Sequence, residues 1–510
     1  MIHMKLKELL KDSKATLITG NAETEISSVC SDSRKVSAGA LFIAVKGYAF
    51  DGHKFISAAI ENGASAILYE NEEDLPDKRE GTAYIKSPSS RYSLAIIASN
   101  FYGRPSEKLT LVGITGTNGK TTTVTLLYRL FKSLGYECGL LSTIANYVGN
   151  RCEEAANTTS DPLTINSLLA EMADCGCEYC FMEVSSIGLE QDRVAGLKYK
   201  VAIFSNLTHD HLDYHKTFAE YLRCKKLLFD NLGKDAFAIT NADDKNGMVM
   251  TQNTKAHVVT YSCRSMANHT CHIIEEGFDG MQLSIDGKEC WTRLIGQHNA
   301  YNILAIYTTA LCLGAEQEEV LVALSSLQSA PGRLETLRGP KDLSVSIDYA
   351  HTPDAMENVL KTLREIAPER QLICLFGCGG DRDKTKRPEM AKVAQEMADK
   401  IIVTSDNSRT ERTEDILNDI KSGMDYKGRA KSLFITDREE AIRTAIMIAD
   451  QGATILLAGK GHETYQIIGT EKRHFDEKEI VSAIFNEMTE NEMTETAGYE
   501  MTTNQKEAKL

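Results

Sequence analysis

Residues 112–127 read VGITGTNGKTTTVTLL, and this stretch decides the fold of the chain. Glycines recur every third residue, and a lysine and a threonine follow the last of them: Gly113, Gly116, Gly119, Lys120 and Thr121. The common nucleotide-binding loop, G-x-x-x-x-G-K-[ST], has its first glycine five residues before the second. Here that position is Ile114. The stretch therefore predicts a phosphate-binding loop of a variant type.

The sequence on either side of the loop supports this prediction. An apolar segment, LTLVGIT (109–115), precedes it, and a segment with apolar residues at helical spacing follows. Backbone N–H groups of such a loop, together with a helix N-terminus, bind anions. We expect Lys120 to reach the outer phosphates of ATP and Thr121 to bind Mg²⁺. This context disfavours the alternative, a glycine-rich turn without a ligand.

The composition limits the classes of protein to consider. A chain of 510 residues suggests about three domains. The net charge of −15 argues against a nucleic-acid partner, which would require a basic face. The N-terminus lacks an apolar signal core, and the apolar stretch at 304–315 is too short to span a membrane, so we expect a cytoplasmic protein without a membrane partner. We further expect a monomer.

The chain divides into three α/β domains and a tail. Residues 1–104 alternate short apolar runs with helical segments and predict a small N-terminal domain. Residues 105–335 contain the phosphate loop and predict a central ATP-binding domain. Residues 336–488 repeat strand and helix patterns, typical of a doubly wound, Rossmann-like domain. Residues 489–510 are polar and partly repeat the motif NEMTE, which predicts disorder.

Two clusters beyond the loop could bind metal. Glu183 ends an apolar run, and SNLTHDHLDYH (205–215) interleaves three histidines with two aspartates, which favours a metal–phosphate site. Because Mg²⁺ prefers carboxylates, we expect one histidine ligand rather than a zinc site made of three. The cysteines of CGCEYC (175–180) lack a fourth ligand at zinc spacing, so we interpret them as small apolar residues around a buried strand.

A wider set of motifs carries a resemblance to a known family. In chain order these are GITGTNGKTT (113–122), MEVSS (182–186), DHLDYH (210–215), NADD (241–244), GQHNAYNILA (296–305), PGRLE (331–335), DYAHTPDA (348–355), FGCGGDRDKTKRPEM (376–390), DNSR (406–409) and GKGHETYQ (459–466). With these motifs the chain resembles the Mur ligases of peptidoglycan synthesis, and most closely those that add a diamino acid. The resemblance implies a UDP-binding N-terminal domain, a central ATPase and a C-terminal Rossmann-like domain. It also implies that a diamino acid is joined to UDP-MurNAc-L-Ala-D-Glu through an acyl phosphate, with ATP converted to ADP and phosphate.

The resemblance also implies roles for residues around ATP. Thr121 and Glu183 would hold one Mg²⁺, and His211 would contribute to a second. Lys225 matches a lysine that CO₂ converts to a carbamate, although the adjacent Lys226 is an alternative. The remaining residues implied for the nucleotide are Gly116, Thr117, Asn118, Gly119, Lys120, Thr122, Asn302, Arg333 and Asp348.

The substrate residues implied by the resemblance fall into two sets. Those for the UDP-MurNAc-dipeptide are Ser33, Arg34, Thr158, Thr159, Ser185, Gln191 and Arg193. Those for the diamino acid are Arg382, Asp406, Asn407, Arg409, Gly459 and Glu463. Arginine and hydroxyl groups suit substrates rich in phosphate and carboxylate.

Two positions depart from the family pattern and bear on the choice of diamino acid. Ile187 stands where the family commonly has histidine, and Ser408 replaces the proline of D-N-P-R. meso-Diaminopimelate has a second carboxylate that L-lysine lacks, and Arg409 could bind it bidentately. We therefore favour meso-diaminopimelate, with L-lysine as the alternative.

Three rival functions fit the sequence less well. A folylpolyglutamate synthetase would lack the motifs DSRK and DNSR, and a nucleotide-operated switch would need no motifs beyond the phosphate loop. FGCGGDRD follows a strand, yet G-x-G-x-x-G fails at Arg382, which argues against NAD.

Overall fold

The computed structural model describes residues 3–47, 51–208, 210 and 212–490. The chain forms two compact units. The first comprises Met1–Leu207, Ala219–His269 and Ala305–Ala323, and the second comprises Thr208–Phe218, Thr270–Leu304 and Leu324–Leu510. The predicted domain boundaries at residues 104, 335 and 488 stay predictions.

The N-terminal part of the first unit is a small α/β fold, as predicted. Its strands are β1 (Met4–Lys5), β2 (Thr16–Thr19), β3 (Glu25–Ile26), β4 (Ser28–Cys30), β5 (Ala40–Ile43), β6 (Ala66–Tyr69) and β7 (Ala83–Lys86), and its helices are α1 (Leu6–Leu9), α2 (Ile56–Glu61) and α3 (Ser90–Phe101). The main sheet has the order β2-β7-β6-β5-β4, and all its pairs except β2–β7 are parallel. Neighbouring residues Leu41 and Phe42 of β5 enter different apolar clusters, so both faces of the sheet are covered.

The phosphate loop belongs to a second sheet of the same unit. The elements of this region are β8 (Thr110–Thr115), α4 (Lys120–Ser133), β9 (Cys138–Leu141), β10 (Ala145–Val148), β11 (Arg151–Glu154), α5 (Pro162–Asp174), β12 (Tyr179–Glu183), α6 (Ser186–Glu190), β13 (Tyr199–Phe204), α7 (Leu212–His215, in the second unit), α8 (Phe218–Asp230), β14 (Phe237–Asn241), α9 (Gly247–Met250) and β15 (His257–Ser262). The strand order is β11-β10-β9-β12-β8-β13-β14-β15. Strands β9, β12, β8, β13, β14 and β15 are parallel to one another. Strand β10 pairs antiparallel with both β9 and β11. The predicted strand–loop–helix context of the phosphate loop is confirmed.

The next part of the chain continues into the second unit. Its elements are β16 (His269–Gly277), β17 (Gly280–Ile285), β18 (Lys288–Thr292), α10 (Gln297–Cys312) and α11 (Gln317–Ser326). Strands β16, β17 and β18 pair as an antiparallel meander.

The C-terminal sheet is doubly wound, as predicted. Its region contains β19 (Glu335–Arg338), β20 (Ser344–Asp348), α12 (Pro353–Ile366), β21 (Leu372–Phe376), α13 (Lys386–Met397), β22 (Lys400–Val403), α14 (Thr413–Ser422), α15 (Tyr426–Ala430), β23 (Ser432–Phe434), α16 (Arg438–Met447), β24 (Thr454–Ala458), β25 (Tyr465–Ile468) and β26 (Glu471–His474). The order is β19-β20-β24-β21-β22-β23, with only β19 antiparallel. Ile373 and Cys374 enter opposite apolar clusters, so helices cover both faces.

The structure differs from the sequence prediction at the end of this region. The repeated strand and helix patterns predict a helix after each strand, but the β25–β26 hairpin follows β24, and the next helix covers residues 477–490. The predicted disordered tail begins at residue 489, whereas residues 489 and 490 are helical, and the rest of the tail lies outside the described residues.

Two further sequence expectations concern membranes and cysteines. Within the described ranges, no helix combines the length and apolarity needed to cross a bilayer. All thirteen cysteines are free thiols. Of the CGCEYC cluster, Cys177 and Cys180 are buried and Cys175 is exposed, so the apolar interpretation fits two of the three.

Helix α16 carries a buried ion pair that ties the C-terminal sheet together. Arg438 and Glu477 are both fully buried, with 2.8 Å between Nη2 and Oε1. The same guanidinium donates to the carbonyl oxygens of Ser405 (3.0 Å) and Ala458 (2.9 Å), which follow β22 and end β24. Burial raises the pKa of Glu477, and Arg438 opposes that shift.

We expect Arg438→Met to lower the free energy of unfolding by about 3–5 kcal/mol, because it leaves a buried carboxylate without its cation. Urea unfolding followed by circular dichroism measures this loss. The control is Arg443→Met on the same helix, where the pair with Glu487 is largely solvated, and its stability should stay close to that of the wild type. Equal stability of both variants would contradict the argument.

Candidate active site

The phosphate loop connects the end of β8 to the start of α4 and depends on its glycines. Gly116 has φ of +155° and Gly119 has φ of +87°, values that favour glycine. A Cβ atom at Gly116 would lie 1.9 Å from Oγ of Ser205, and one at Gly113 would lie 2.6 Å from the ring of Tyr199. Close packing against β13 therefore explains two of the three evenly spaced glycines, and backbone conformation explains the third.

The residues that follow β13 hold the loop in place. Asn206 accepts two hydrogen bonds, from the N–H of Thr117 to its carbonyl (2.9 Å) and from the N–H of Asn118 to its Oδ1 (2.9 Å). Ser205 Oγ donates to the carbonyl of Asn118 at 2.7 Å. The loop is thus held in place by the two residues that follow strand β13.

Two lysines converge on one carbonyl group of the loop. Nζ of Lys120 donates to the carbonyl oxygens of Gly116 (2.9 Å) and Thr117 (2.8 Å). Nζ of Lys225, a buried residue of α8, donates to the same Gly116 oxygen at 2.7 Å. Lys120 beside a helix N-terminus forms a site suited to a polyphosphate, and Lys225 contacts the same loop.

The structure distinguishes Lys225 from its neighbour Lys226. Lys226 forms an ion pair with Asp230 one turn further along α8, whereas Lys225 donates to the carbonyl oxygen of Gly116. Lys225 instead lies with its Nζ 4.6 Å from the ring centre of Tyr221, whose hydroxyl is 3.2 Å from Oγ1 of Thr117. Of the two lysines, only Lys225 hydrogen-bonds the phosphate loop.

Glu183 at the end of β12 has one oxygen that fits a metal ligand. The side chain is fully buried, and Oε1 accepts a hydrogen bond from the N–H of Thr143 at 2.8 Å. Oε2 is buried, and no hydrogen-bond partner for it is found among the described residues. Thr121 is also buried, in the first turn of α4. An orphaned carboxylate oxygen and a helix N-terminal threonine suit Mg²⁺, which prefers oxygen ligands.

The structure describes the histidine cluster at residues 209–215 only in part. His209 and His211 lie outside the described residues, and His215 is buried at the end of α7. Within the described part of the chain, no group of three or more His, Cys, Asp or Glu side chains is arranged to hold a metal ion. The proposed role of His211 therefore stays a prediction.

The first unit contains a cavity of about 410 Å³ bordered by predicted substrate residues. Gln191 and Arg193 line it, and its other lining residues are Ser31, Val45, Gly47, Arg91, Leu94, Asn157, Asp161 and Pro162. Ser33 and Arg34 are not among these lining residues. The side chain of Arg34 is 88% exposed and bound to Asp32, so the predicted DSRK contact lies at the surface beside the cavity.

A hydrogen-bond network connects the cavity to Glu183. Arg193 donates to Oε1 of Gln191 (2.7 Å) and to the carbonyl of Thr159 (2.7 Å). Oγ1 of Thr159 donates to the carbonyl of Glu183 at 3.0 Å and accepts from the N–H of Ser185. Oγ1 of Thr158 accepts a hydrogen bond from Oγ1 of Thr143 at 3.1 Å, and the N–H of Thr143 donates to Oε1 of Glu183. Five predicted substrate residues are therefore brought together with the candidate metal ligand: Thr158, Thr159, Ser185, Gln191 and Arg193.

The other residues predicted for the nucleotide lie in the second unit. Asp348 at the end of β20 accepts hydrogen bonds from the N–H groups of Leu334 (2.6 Å) and Ala350 (2.7 Å). Burial raises the pKa of Asp348 to about 6, against the opposing effect of Arg333. The Arg333 guanidinium lies 4.8 Å from the ring centre of Tyr349. Buried Asn302 donates to Oδ1 of Asn299 at 3.0 Å.

The loops after β22 and β24 assemble four of the residues predicted for the diamino acid. Nδ2 of Asn407 donates to Oε2 of Glu463 at 2.8 Å. Gly459 has φ of +114°, and a Cβ atom there would lie 2.8 Å from Oδ2 of Asp406. Burial acts to raise the pKa of Asp406, but Lys460 and then other cations hold it below its usual range.

The two predicted arginines of this subsite adopt different conformations. Arg409 has φ of +51°, a left-handed conformation that costs a non-glycine residue about 1 kcal/mol or more. Its Nη1 donates to the carbonyl of Gly380 at 2.8 Å. Arg382 is exposed, and a Cβ atom at Gly379 would lie 3.8 Å from its Cγ and 3.0 Å from Nη1 of Arg409. Such local strain at a charged residue is typical of functional sites.

The sequence did not identify several residues that the structure places at these sites. Ser31, Arg91, Asn157 and Asp161 line the cavity, and Lys460 lies beneath the diamino-acid subsite. Asn157 precedes the predicted pair Thr158–Thr159, and Lys460 follows Gly459, so proximity along the chain was an available signal. Arg91 lies on a helix without any motif, and only the fold could reveal it.

Comparison with protein families covers most of the chain. Three family descriptions match successive segments: "Mur ligase family, catalytic domain" at residues 25–102, "Mur ligase middle domain" at 114–310, and "Mur ligase, glutamate ligase domain" at 332–461. The chain is 49% identical over 485 residues to a UDP-N-acetylmuramoyl-L-alanyl-D-glutamate--2,6-diaminopimelate ligase of Bacteroides fragilis, covering 95% of this chain and 99% of the relative. The enzyme of the same name from Geobacillus kaustophilus is 41% identical over 496 residues, covering 95% and 100%.

Solved structures agree with the sequence comparisons. A structure described as UDP-N-acetylmuramoyl-L-alanyl-D-glutamate--2,6-diaminopimelate ligase superposes with a TM-score of 0.68 at 31% identity, covering 95% of this chain and 99% of the other. A folylpolyglutamate synthase of Mycobacterium tuberculosis shares the fold, with a TM-score of 0.60 at 18% identity over 72% of this chain and 91% of that one.

A phosphate loop on a parallel α/β sheet, followed along the chain by a doubly wound C-terminal sheet, is typical of a class of ATP-dependent ligases. Within that class, the chain belongs to the Mur ligase family.

We expect Gly116→Ala to weaken binding of Mg-ADP by about tenfold or more, because the added Cβ must displace Ser205 and move the loop. Gly135→Ala is the control, since it also places alanine at a positive φ (+94°) but meets no atom within 4 Å. Titration calorimetry with Mg-ADP on both variants makes the comparison. Wild-type affinity in Gly116→Ala would show that close packing does not shape the loop.

Proposed function

We propose that this protein joins meso-2,6-diaminopimelate to the D-glutamyl carboxylate of UDP-N-acetylmuramoyl-L-alanyl-D-glutamate, at the expense of ATP. The reaction would serve peptidoglycan precursor synthesis in the cytoplasm. The observation that carries this choice of amino acid is Arg409, whose Nη1 lies 3.4 Å from the carbonyl oxygen of Asn407, another residue predicted for the diamino acid. The names of the relatives support the same choice. An arginine supplies the bidentate cation that a second carboxylate needs.

The chemistry begins with an acid that cannot react with an amine until it is activated. The D-glutamyl carboxylate attacks the γ-phosphorus of ATP, and the bond between that phosphorus and the bridging oxygen breaks to release ADP. The amine of the diamino acid then attacks the acyl phosphate, loses a proton and expels inorganic phosphate. Both steps develop negative charge on phosphoryl oxygens, which Lys120 is placed to neutralise.

Mg²⁺ would supply further charge neutralisation when bound. We propose Thr121 and Glu183 as ligands of one ion and His211 as a ligand of a second. We further propose that the ε-amine of Lys225 reacts with CO₂ and loses a proton, which gives a carbamate. This reaction replaces an ammonium with an anionic oxygen ligand, at a residue that already contacts the phosphate loop.

The substrates are assigned to sites as follows. We propose that Gln191, Arg193 and the threonines that they support bind the UDP-MurNAc-dipeptide at the cavity. Ser33 and Arg34 would contact the UDP end from the surface. We assign Asn302, Arg333 and Asp348 to the nucleotide and propose a monomer divided at residues 104 and 335, with a domain ending at 488.

Phosphate release from ATP should require UDP-MurNAc-L-Ala-D-Glu, Mg²⁺ and meso-diaminopimelate together, and L-lysine should be a much poorer substrate than diaminopimelate. Arg409→Met should raise the KM for diaminopimelate by about a hundredfold, because a charged hydrogen-bonded contact is lost. Exposed Arg412→Met is the control. Turnover with lysine alone would overturn the choice of amino acid, and ATP hydrolysis independent of any acceptor would favour a nucleotide switch.

Incubation with ¹³C-labelled bicarbonate should produce a carbamate signal in the ¹³C NMR spectrum of the protein. Lys225→Met should abolish this signal and reduce turnover by about a hundredfold or more, because a metal ligand is lost. Lys226→Met is the matched control, since it removes an adjacent lysine that pairs with Asp230, and it should retain both the signal and the activity. A signal that disappears only in Lys226→Met would reassign the modified residue.

A further inference from the structure

Lys460 is a fully buried lysine whose ammonium group contacts residues predicted for the diamino acid. It belongs to the turn between β24 and β25, next to Gly459. Its Nζ is 3.1 Å from Oε2 of Glu463, 3.3 Å from Oδ1 of Asn407 and 3.9 Å from Oδ1 of Asp406. Each of these oxygens belongs to a residue that we assign to the diamino acid.

These contacts leave the side chains of the subsite little freedom. Oδ1 of Asn407 accepts from Lys460 and from the N–H of Ile467 (2.8 Å), which fixes the amide so that Nδ2 faces Glu463. Glu463 in turn receives hydrogen bonds from both Asn407 and Lys460 on a single oxygen, Oε2. Because Asn407 and Lys460 hold Oε2, they also fix the orientation of the other carboxylate oxygen, Oε1.

The charges of the cluster also matter. Asp406 and Glu463 contribute two negative charges and Lys460 contributes one positive charge, so the three together carry one net negative charge. This negative charge matches one ammonium group of an incoming amino acid, while Arg409 is assigned to its second carboxylate. Without Lys460, the same pocket would hold two carboxylates at close range, a state that favours a more positively charged ligand.

We propose that Lys460 is a positioning and specificity-determining residue, which orients Asn407 and Glu463 and sets the charge of the subsite to suit diaminopimelate rather than lysine. This inference rests on the proposed function. Diaminopimelate is neutral overall at pH 7, whereas lysine carries one net positive charge. Loss of the Lys460 cation should therefore penalise the first ligand more than the second.

Steady-state kinetics of Lys460→Met with each amino acid test the proposal. We expect the KM for diaminopimelate to rise by about tenfold or more, and the preference for diaminopimelate over lysine in kcat/KM to fall by about tenfold. The KM values for ATP and for the UDP-dipeptide should stay within about twofold of the wild type. A merely structural role would instead change all three KM values or leave the ratio between the amino acids unaltered.

The control variant is Lys472→Met on β26. Lys472 is exposed and lies 4.0 Å from the ring centre of Tyr465, a ring that Lys460 also approaches at 5.8 Å. Its removal should leave the preference unchanged. Combining Lys460→Met with Glu463→Gln should give less than the sum of the two single effects, because the lysine acts through Glu463.

Should Lys460→Met not accumulate as folded protein, Lys460→Gln supplies the same test, since glutamine keeps a hydrogen-bond donor without the charge. An unchanged preference in either folded variant would overturn the proposal. Inactivity of the wild type with both amino acids would instead overturn the proposed function, so the two failures are distinguishable.

Discussion

Parallel pairing of strands is the constraint on which both candidate sites depend. Parallel neighbours can only be joined by a crossover connection, so the carboxyl ends of all the parallel strands lie at the same end of the sheet. In the first unit this brings the loop after β8 together with Glu183 at the end of β12 and Ser205 after β13. In the second unit it gathers Asp348, Asp406 and Gly459 at the ends of β20, β22 and β24. The predicted site residues are therefore concentrated where the topology brings the carboxyl ends of the strands together.

Several charged groups at the carboxyl ends of the strands form hydrogen bonds with the backbone. Lys120 and Lys225 donate to a single loop carbonyl, Asp348 accepts from two backbone N–H groups, and Arg438 binds the carbonyl oxygens of Ser405 and Ala458. Burying a charge is tolerated only when it is paired or hydrogen-bonded. The same groups that stabilise the loops therefore keep the charges in place for substrates, and stability and function share their contacts.

The sequence predicted the architecture well because the governing patterns are local. The apolar strand, the glycines and the helical spacing around residues 109–134 lie within one stretch, and the family, the α/β fold and the strands of the C-terminal sheet are confirmed. The β25–β26 hairpin was missed because the segment GKGHETYQ was interpreted only as a motif. The helical structure at residues 489 and 490 was missed because the polar, repetitive composition of the tail was interpreted as disorder.

Site geometry was less accessible from sequence. Exposure of Arg34 and its pairing with Asp32 depend on a short 3₁₀ turn at Ser33–Lys35, which no pattern announces. The sequence favoured Lys225 over Lys226, and the fold adds that Lys225 hydrogen-bonds the phosphate loop whereas Lys226 pairs with Asp230. Lys460 was passed over because a lysine beside glycines looks like a surface residue, and only the fold shows that it is buried.

The left-handed backbone at Arg409 has a consequence for how this subsite could change in evolution. Glycine or asparagine would adopt that conformation more readily than arginine, so the backbone and the guanidinium make opposing demands on the same position. A descendant released from the need for a cation there would gain stability by losing the arginine. Substitution of Arg409 by glycine or asparagine would therefore relieve the backbone strain and at the same time remove the cation.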